Sequence, residues 1–179
     1  LLFAVIDVPV QAFLFAKGQR MSKQDVREEH KSTEGRPEVK QRIRQLQQQM
    51  ARRSVGKTVP TADVVIVNPE HYAVALKYDA GRAEAPFVVA KGLDEMALYI
   101  REVARKHGVE TLELPPLARA IYNTSQVQQQ IPAQLYQAVS QVLNYVLQLN
   151  AFRAGRRTAP PRFPNEVVVP PHLSEVPAS

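Results

Sequence analysis

Two apolar segments flank a short polar break, and the rest of the chain is arranged around that pair. Residues 64–67 and 73–77 are rich in Val and Ala and have the length of buried strands. The break between them reads Asn68-Pro69-Glu70-His71. This pattern predicts two strands joined by a tight turn that contains a proline.

The sequence after this pair alternates between strand and helix patterns. Residues 87–91 predict a third strand, and Gly92 is expected to open a helix that ends at His107. Residues 109–114 alternate between apolar and polar and predict a fourth strand. Prolines 115 and 116 are expected to end it, because proline has no N–H for the sheet.

Two helices are predicted after the fourth strand. Residues 117–122 suggest a short helix, and Pro132 is expected to begin the last one. The last helix has apolar positions spaced four and three residues apart, at Leu135, Val139, Val142, Val146 and Leu149. We therefore predict a small α/β domain over residues 62–152, with three or four strands and helices packed around them.

An apolar run of 16 residues opens the chain, interrupted by Asp7 and Pro9. A full membrane span needs about 20 residues. Basic residues follow the run at once, which is typical of a membrane helix that leaves on the cytoplasmic side. A buried core helix is the alternative. Because the first residue is not Met, we expect the chain to be the C-terminal portion of a longer protein.

Residues 17–61 are charged and Gln-rich and contain no strand pattern. Four apolar residues, Val39, Ile43, Leu46 and Met50, are spaced four, three and four apart, which places them in one narrow stripe on a helix. The segment is therefore predicted to be a long basic helical linker. It is either a solvated spacer or a surface that binds a partner or lipid headgroups.

The net charge of +6 is spread unevenly along the chain. Residues 17–57 carry 12 Lys and Arg against 5 Asp and Glu, whereas residues 58–152 carry 7 against 9. The basic character therefore belongs to the linker. Since the linker lacks interleaved aromatic residues and the domain lacks a basic excess, no nucleic-acid partner is expected, and a basic nucleic-acid-binding module is only a remote alternative.

The end of the chain and its rarest residues limit the possible functions further. Residues 153–179 hold six of the 14 prolines and predict a disordered tail, with a Pro-rich docking motif as the alternative. The absence of Cys excludes a disulfide scaffold and a thiolate metal site. The four His residues have no metal-ligand spacing. No metal and no cofactor are expected.

The dipeptide Asn68-Pro69 can undergo an unusual reaction. An Asn side-chain nitrogen can attack the main-chain carbonyl of its own residue and close a five-membered imide, which breaks the chain. The commoner reaction at Asn is deamidation, which needs the N–H of the next residue. Proline has no N–H, so deamidation is closed at this position and chain cleavage is the route that remains.

Four segments resemble the self-cleaving switch proteins of type III secretion, the flagellar export-gate protein and its injectisome homologues. The first is Ala-Asp-Val-Val-Ile-Val-Asn-Pro-Glu-His-Tyr-Ala-Val-Ala-Leu-Lys-Tyr-Asp at residues 62–79. The others are Ala-Pro-Phe-Val-Val-Ala-Lys-Gly at 85–92, Pro-Pro-Leu-Ala-Arg-Ala-Ile-Tyr at 115–122 and Gln-Gln-Ile-Pro-Ala-Gln-Leu-Tyr at 129–136. The likeness extends over residues 7–152 and favours the flagellar branch.

The resemblance implies a mixed sheet wrapped by helices, preceded by the end of the last transmembrane helix in residues 1–16. It implies one self-cleavage between Asn68 and Pro69, with no turnover, that moves export from rod- and hook-type to filament-type subunits. The implied partners are other export-gate membrane proteins, the exported subunits and the hook-length ruler protein. The implied location is the bacterial inner membrane, with residues 17–179 in the cytoplasm.

Position 70 departs from the family motif, which is Asn-Pro-Thr-His. Asn68, Pro69 and His71 match, and Glu70 replaces Thr. Asn68 would supply the attacking nitrogen and Pro69 the departing one, while His71 or Glu70 would orient the amide or pass a proton. A non-cleaving adaptor of the same fold, which only binds export subunits, is the alternative that Glu70 keeps open.

Small apolar residues beside prolines suggest two surfaces that could accept a peptide segment of an exported subunit. One is Ala85-Pro86, ahead of the third strand. The other comprises Pro116, Leu117 and Arg119. The alternative is that Leu117 belongs to the core and that Arg119 is a surface charge of the helix.

Overall fold

The computed structural model describes residues 37–69 and 71–175. Its strands are β1 (Val64–Asn68), β2 (Tyr72–Lys77), β3 (Phe87–Leu93) and β4 (Thr111–Glu113). Its helices are α1 (Pro37–Thr58), α2 (Asp94–Lys106), α3 (Pro115–Thr124), α4 (Tyr136–Arg153) and α5 (Pro171–Ser174). Short 3₁₀ turns at Val59–Thr61 and Ala133–Leu135 precede β1 and α4.

The four strands form one mixed sheet in the order β3-β2-β1-β4. The pairs β1–β2 and β2–β3 are antiparallel, whereas β1 and β4 are parallel. Strand β1 therefore lies between two neighbours and is held along both edges. The predicted α/β class and the mixed four-stranded sheet are confirmed.

Both faces of the sheet are buried. Successive residues of a strand point to opposite sides, so β1, β2 and β3 each contribute side chains to two core clusters. Val64 and Ile66 of β1 belong to one core cluster, which includes buried residues of α3 and α4. Val65 and Val67 belong to the other, which includes Val55 of α1 and buried residues of α2. This explains why β1 reads as a continuous apolar run.

Gly92 lies inside β3, where it pairs with Ala73, and helix α2 starts two residues later than predicted. A Cβ atom at position 92 would stand 2.5 Å from the Cγ atom of Met96 and 2.7 Å from its Cβ atom. The glycine therefore allows the first turn of α2 to fold closely against the end of β3. The sequence suggested a helix start here, whereas the residue serves the close approach of two elements.

Replacing Gly92 with Ala is expected to lower the free energy of unfolding by about 1–3 kcal/mol, since the added methyl group overpacks this junction. Gly56 provides a control, because its Cβ would meet only the Tyr99 hydroxyl oxygen at 3.7 Å inside helix α1. Gly56→Ala is expected to stabilise by about 0.5–1 kcal/mol, as alanine does in helices. Urea unfolding of both variants checks the opposite signs.

Prolines 115 and 116 begin a helix rather than separating one from a strand. They occupy the first turn of α3, where the missing N–H groups cost nothing because no intrahelical acceptor exists there. Strand β4 is also shorter than predicted, at Thr111–Glu113. The last helix starts at Tyr136 rather than at Pro132, since a 3₁₀ turn intervenes.

The linker is helical where it is described. Two compact units divide the chain between Gln48 and Gln49, inside α1. The predicted stripe at positions 39, 43, 46 and 50 is exposed, whereas Val55 in the second unit is buried in the core. None of the described helices is both long and apolar enough to cross a membrane. The predicted membrane segment at residues 1–16 lies outside the described part of the chain.

The Pro-rich tail packs against the domain as far as it is described, up to residue 175, which differs from the predicted disorder. Phe163, Val167, Val169 and Leu173 pack against the first core cluster. The rings of Tyr145 and Phe163 meet edge to face, with centroids 5.4 Å apart. These apolar residues recur between the prolines and supply contacts, while the prolines reduce the entropy lost on ordering.

Candidate functional site

A tight turn from Asn68 to His71 joins β1 to β2. Asn68 pairs with Tyr72 at the end of the antiparallel ladder, and the His71 N–H donates a hydrogen bond of 3.1 Å to the Asn68 carbonyl. This bond joins the first and fourth residues, as in a β-turn, with Pro69 at the second position, where its fixed φ is favoured. The Asn68-Pro69 peptide bond is therefore held at the tip of a hairpin.

Asp94, the first residue of α2, anchors the turn from its other side. The Asp94 N–H donates to the His71 carbonyl at 3.0 Å, and an Asp94 carboxylate oxygen lies 3.4 Å from Nδ1 of His71. Both side chains are exposed, so the contact between them contributes little to stability. Asp94 has a φ of 44°, in the left-handed region that few non-glycine residues adopt.

A cavity of about 360 Å³ opens beside the turn. It is lined by Asn68, His71, Tyr72, Leu93, Asp94 and Arg119. The last two are contributions that the sequence did not place at this site. The sequence pattern predicted no role for Asp94 and a docking role for Arg119. The left-handed backbone at Asp94 and the approach of α3 to the end of β1 have no signature in the sequence.

An aromatic and basic cluster supports the first residue of β2. The rings of Tyr72 and Tyr122 meet edge to face, with centroids 5.2 Å apart. Lys91 lies 4.6 Å from the centre of the Tyr122 ring and donates to the carbonyls of Tyr122 and Ser125 near the C-terminus of α3. Burial lowers the pKa of Lys91. Burial also raises the pKa of Tyr122, with smaller contributions from Tyr72 and Asp94.

The structure separates the two predicted docking surfaces. Ala85 and Pro86 line an apolar groove of about 370 Å³, together with residues of α4 that include Tyr136, Leu143 and Leu147. Leu117 is 1% exposed and Ala85 is 2% exposed, so neither side chain offers a docking contact. The groove beside Pro86 is open to solvent through its other lining residues. Pro116 is exposed in the first turn of α3, and Arg119 faces the cavity beside Asn68.

The remaining predicted residues have different outcomes. Glu70 lies outside the described residues, so its proposed part in the reaction stays a prediction. Asn68, Pro69 and His71 lie together in the turn. In the described part of the chain, no group of His, Asp and Glu could hold a metal ion.

The family model described as the FlhB HrpN YscU SpaS family matches residues 1–146. The chain belongs to this family. The family resemblance predicted from the four matching segments is thereby confirmed.

Curated relatives place the chain close to the flagellar members of the FlhB family. It is 50% identical over 167 residues to the flagellar biosynthetic protein FlhB of Salmonella typhimurium, which covers 93% of this chain and 43% of that protein. It is 52% identical over 157 residues to FlhB of Escherichia coli and 44% identical over 146 residues to FlhB of Bacillus subtilis. These alignments cover 41% of each relative. The chain therefore spans about two-fifths of the relatives it matches.

Solved structures agree with the fold. The crystal structure of the cytoplasmic domain of FlhB from Shewanella putrefaciens matches with a TM-score of 0.64 and 50% identity, covering 68% of this chain and 94% of that one. A crystal structure of the EscU C-terminal domain matches with a TM-score of 0.52 and 28% identity, covering 54% of this chain and 97% of that one. The sheet and helices described above thus have the fold of these FlhB and EscU domains.

Proposed function

We propose that this chain is the cytoplasmic portion of a type III flagellar export gate that cuts itself once between Asn68 and Pro69. The observation that carries the proposal is the hairpin turn, in which the dipeptide is closed by the hydrogen bond from His71 N–H to the Asn68 carbonyl. A turn of this kind restricts the Asn68 backbone and brings an intramolecular attack closer to its reactive geometry.

The reaction has two steps. In the first, Nδ2 of Asn68 attacks the main-chain carbonyl carbon of the same residue, and the bond to the Pro69 nitrogen breaks. The Pro69 nitrogen takes a proton as it leaves, and residue 68 becomes a cyclic imide. In the second, one water molecule opens the imide. No cofactor takes part, and the reaction occurs once per chain, so the protein is not an enzyme with turnover.

His71 and Glu70 are proposed to assist the first step. The attacking amide must lose a proton and the departing nitrogen must gain one. His71 lies two residues after Pro69, and the Asp94 carboxylate lies 3.4 Å from the Nδ1 atom of His71. An acceptor at Nδ1 favours the proton on that nitrogen, which leaves Nε2 available as the base. Cleavage is proposed to proceed with Glu70 in place of the family's Thr, since Asn68 and Pro69, the two residues whose bonds change, are both present.

The two products are expected to stay together after cleavage. Val64, Val65, Ile66 and Val67 are between 0 and 3% exposed. Strand β1 is hydrogen-bonded to β2 on one edge and to β4 on the other. Since this burial and pairing do not depend on the peptide bond after Asn68, cleavage changes the conformation and charge of the turn while the sheet persists.

That local change is proposed to switch export from rod- and hook-type to filament-type subunits. Family membership supports this role. It also supports a place in an export gate that is composed of other membrane proteins at the bacterial inner membrane. The exported subunits and the hook-length ruler protein are the proposed partners. Residues 17–179 are proposed to lie in the cytoplasm.

The groove beside Ala85 and Pro86 is the proposed contact for exported subunits. It is apolar, and three of its residues, Tyr78, Tyr136 and Leu147, are more than 40% exposed. Exposed apolar side chains around a groove suit a short amphipathic segment of a partner.

Leu147→Asp is expected to weaken binding of an exported subunit at least about tenfold, because one large apolar contact is worth about 1–3 kcal/mol. Leu98→Asp is the matched control, since Leu98 is 50% exposed on α2 and does not line the groove. Calorimetry of both variants measures the effect. If the two substitutions weaken binding equally, or if neither weakens it, the proposed binding role of the groove is contradicted.

The switching role is tested in a flagellated bacterium whose own gate protein is replaced by a chimaera ending in this chain. With the natural Asn68, filament-type subunits are expected in the medium once hooks are complete. With Asn68→Ala, hook-type export is expected to continue and filament-type export to fail. If both chimaeras export filament-type subunits equally, cleavage has no part in switching, and the non-cleaving adaptor becomes the better account.

A further inference from the structure

We infer that the Arg119 guanidinium forms a binding site for the carboxylate that self-cleavage creates on residue 68. The inference rests on the proposed cleavage and goes beyond it, because it assigns a residue to the product state. The sequence suggested a docking role for Arg119, and a role beside the turn that contains Asn68 replaces it.

The fold brings Arg119 to the end of β1. The Leu114 N–H donates to the Val67 carbonyl at 3.0 Å, so α3 begins directly beside the last residues of that strand. Arg119 lies in the second turn of α3, and its half-buried side chain lines the same cavity as Asn68. Arg119 and Asn68, the residue that cleavage would leave at the end of β1, thus line one cavity.

The tail orients the guanidinium. Nε of Arg119 donates to the Ser174 carbonyl at 3.1 Å. Within residues 37–69 and 71–175, Arg119 makes no salt bridge, and none of its described hydrogen bonds uses Nη1 or Nη2. An arginine held through Nε can still present its two terminal nitrogens as a planar pair of donors, which suits a carboxylate.

Cleavage supplies such a carboxylate. Before cleavage, residue 68 carries a neutral peptide carbonyl and a neutral amide. Water can open the cyclic imide at either of its two carbonyl carbons. One opening restores the Asn side chain beside a main-chain carboxylate, and the other leaves a main-chain amide beside a side-chain carboxylate. Either product places one new negative charge on residue 68.

Among the described residues that line the cavity, a cation can bind this anion and a carboxylate cannot. Asp94 repels it, and the Asp94 carboxylate lies against the His71 ring at 3.4 Å. Arg119 is the permanently charged cation of the cavity lining, and it has no carboxylate partner among the described residues. An ion pair between Arg119 and residue 68 would hold the cut end of β1 beside α3. It would also connect the turn to the tail, since the same side chain binds Ser174.

A thermodynamic cycle on the full chain tests the site. Arg119→Gln is made both in the cleavable chain and in the Asn68→Ala chain, which provides no carboxylate. Loss of the Ser174 contact affects both backgrounds and cancels in the comparison. Urea titration then measures release of the N-terminal fragment from the cleaved protein and global unfolding of the uncut protein.

We expect Arg119→Gln to favour release of the cleaved fragment by about tenfold more than it favours unfolding of the uncut chain, the scale of one charge-assisted hydrogen bond. Arg119→Lys, which keeps the charge, is expected to recover part of the difference. If Arg119→Gln has the same effect in both backgrounds, the carboxylate site is contradicted although cleavage stands. If the chain with Asn68 never splits, the proposed function fails, and this site fails with it for lack of its anion.

Discussion

Replacing Asn68 with Ala is expected to leave the chain whole at every time at which the natural sequence has split. The substitution removes the nitrogen that attacks and leaves the Pro69 peptide bond in the same turn. The His71 N–H can still donate to the carbonyl of residue 68, since that bond uses only the main chain. A denaturing gel sampled over several days measures the result, and complete loss of cleavage is expected.

Pro69→Ala is the matched control for this prediction. It restores an N–H after Asn68 and thereby reopens deamidation, which competes with cleavage for the same side chain. The expected product is a whole chain in which Asn68 has become Asp or isoaspartate, detected by peptide mass analysis. Splitting of the Asn68→Ala chain after residue 68 would show that another group attacks the bond.

Leu117→Ala is expected to lower the free energy of unfolding by about 2–5 kcal/mol, the range for a large side chain removed from a packed core. Leu117 is 1% exposed and belongs to the cluster between the sheet and helices α3 and α4. The loss would reflect the transfer of the side chain and the cavity left behind. Chemical denaturation of the Asn68→Ala chain, which remains in one piece, gives the cleanest measurement.

Leu147→Ala controls for the chemical change alone. Leu147 is 68% exposed, so the same substitution there is expected to change stability by no more than about 0.5 kcal/mol. A Leu117→Ala variant as stable as Leu147→Ala would contradict the core position and would restore Leu117 as a docking candidate.

The sequence predicted the sheet well because its strands have a simple pattern. Residues 64–67 form a continuous apolar run, which fits a strand covered on both faces, and β1 has that position. The Asn-Pro dipeptide between two such runs also predicted the hairpin turn. Strand order did not follow from the pattern, because any of the apolar strands could have filled the centre of the sheet.

Helix boundaries were harder to predict where glycine and proline have several uses. Gly92 suggested a helix start, but its close approach to Met96 depends on how α2 folds back on β3. Pro115 and Pro116 suggested a break, although proline in a first helical turn is equally favourable. Local sequence alone does not distinguish these uses.

The sequence did not predict which residues lie beside the turn or that the tail packs on the domain, because both depend on tertiary contacts. Asp94 and Arg119 reach the cavity beside Asn68 from elements 23 or more residues away in sequence, through packing against β1 and β2. The tail reads as disordered from its proline content, yet Phe163 and Leu173 pack onto the core and Ser174 accepts a hydrogen bond from Arg119. Such contacts depend on a surface that exists only after the domain has folded.

The intact mass of the denatured wild-type chain over time is the most direct test of self-cleavage at Asn68-Pro69. Two fragments that divide after residue 68 are expected. Early in the course, the N-terminal fragment is expected to be one water molecule lighter than the free acid, as the cyclic imide requires, and to gain that water later. A chain that stays whole for days at neutral pH, or fragments that divide at another bond, would contradict the account.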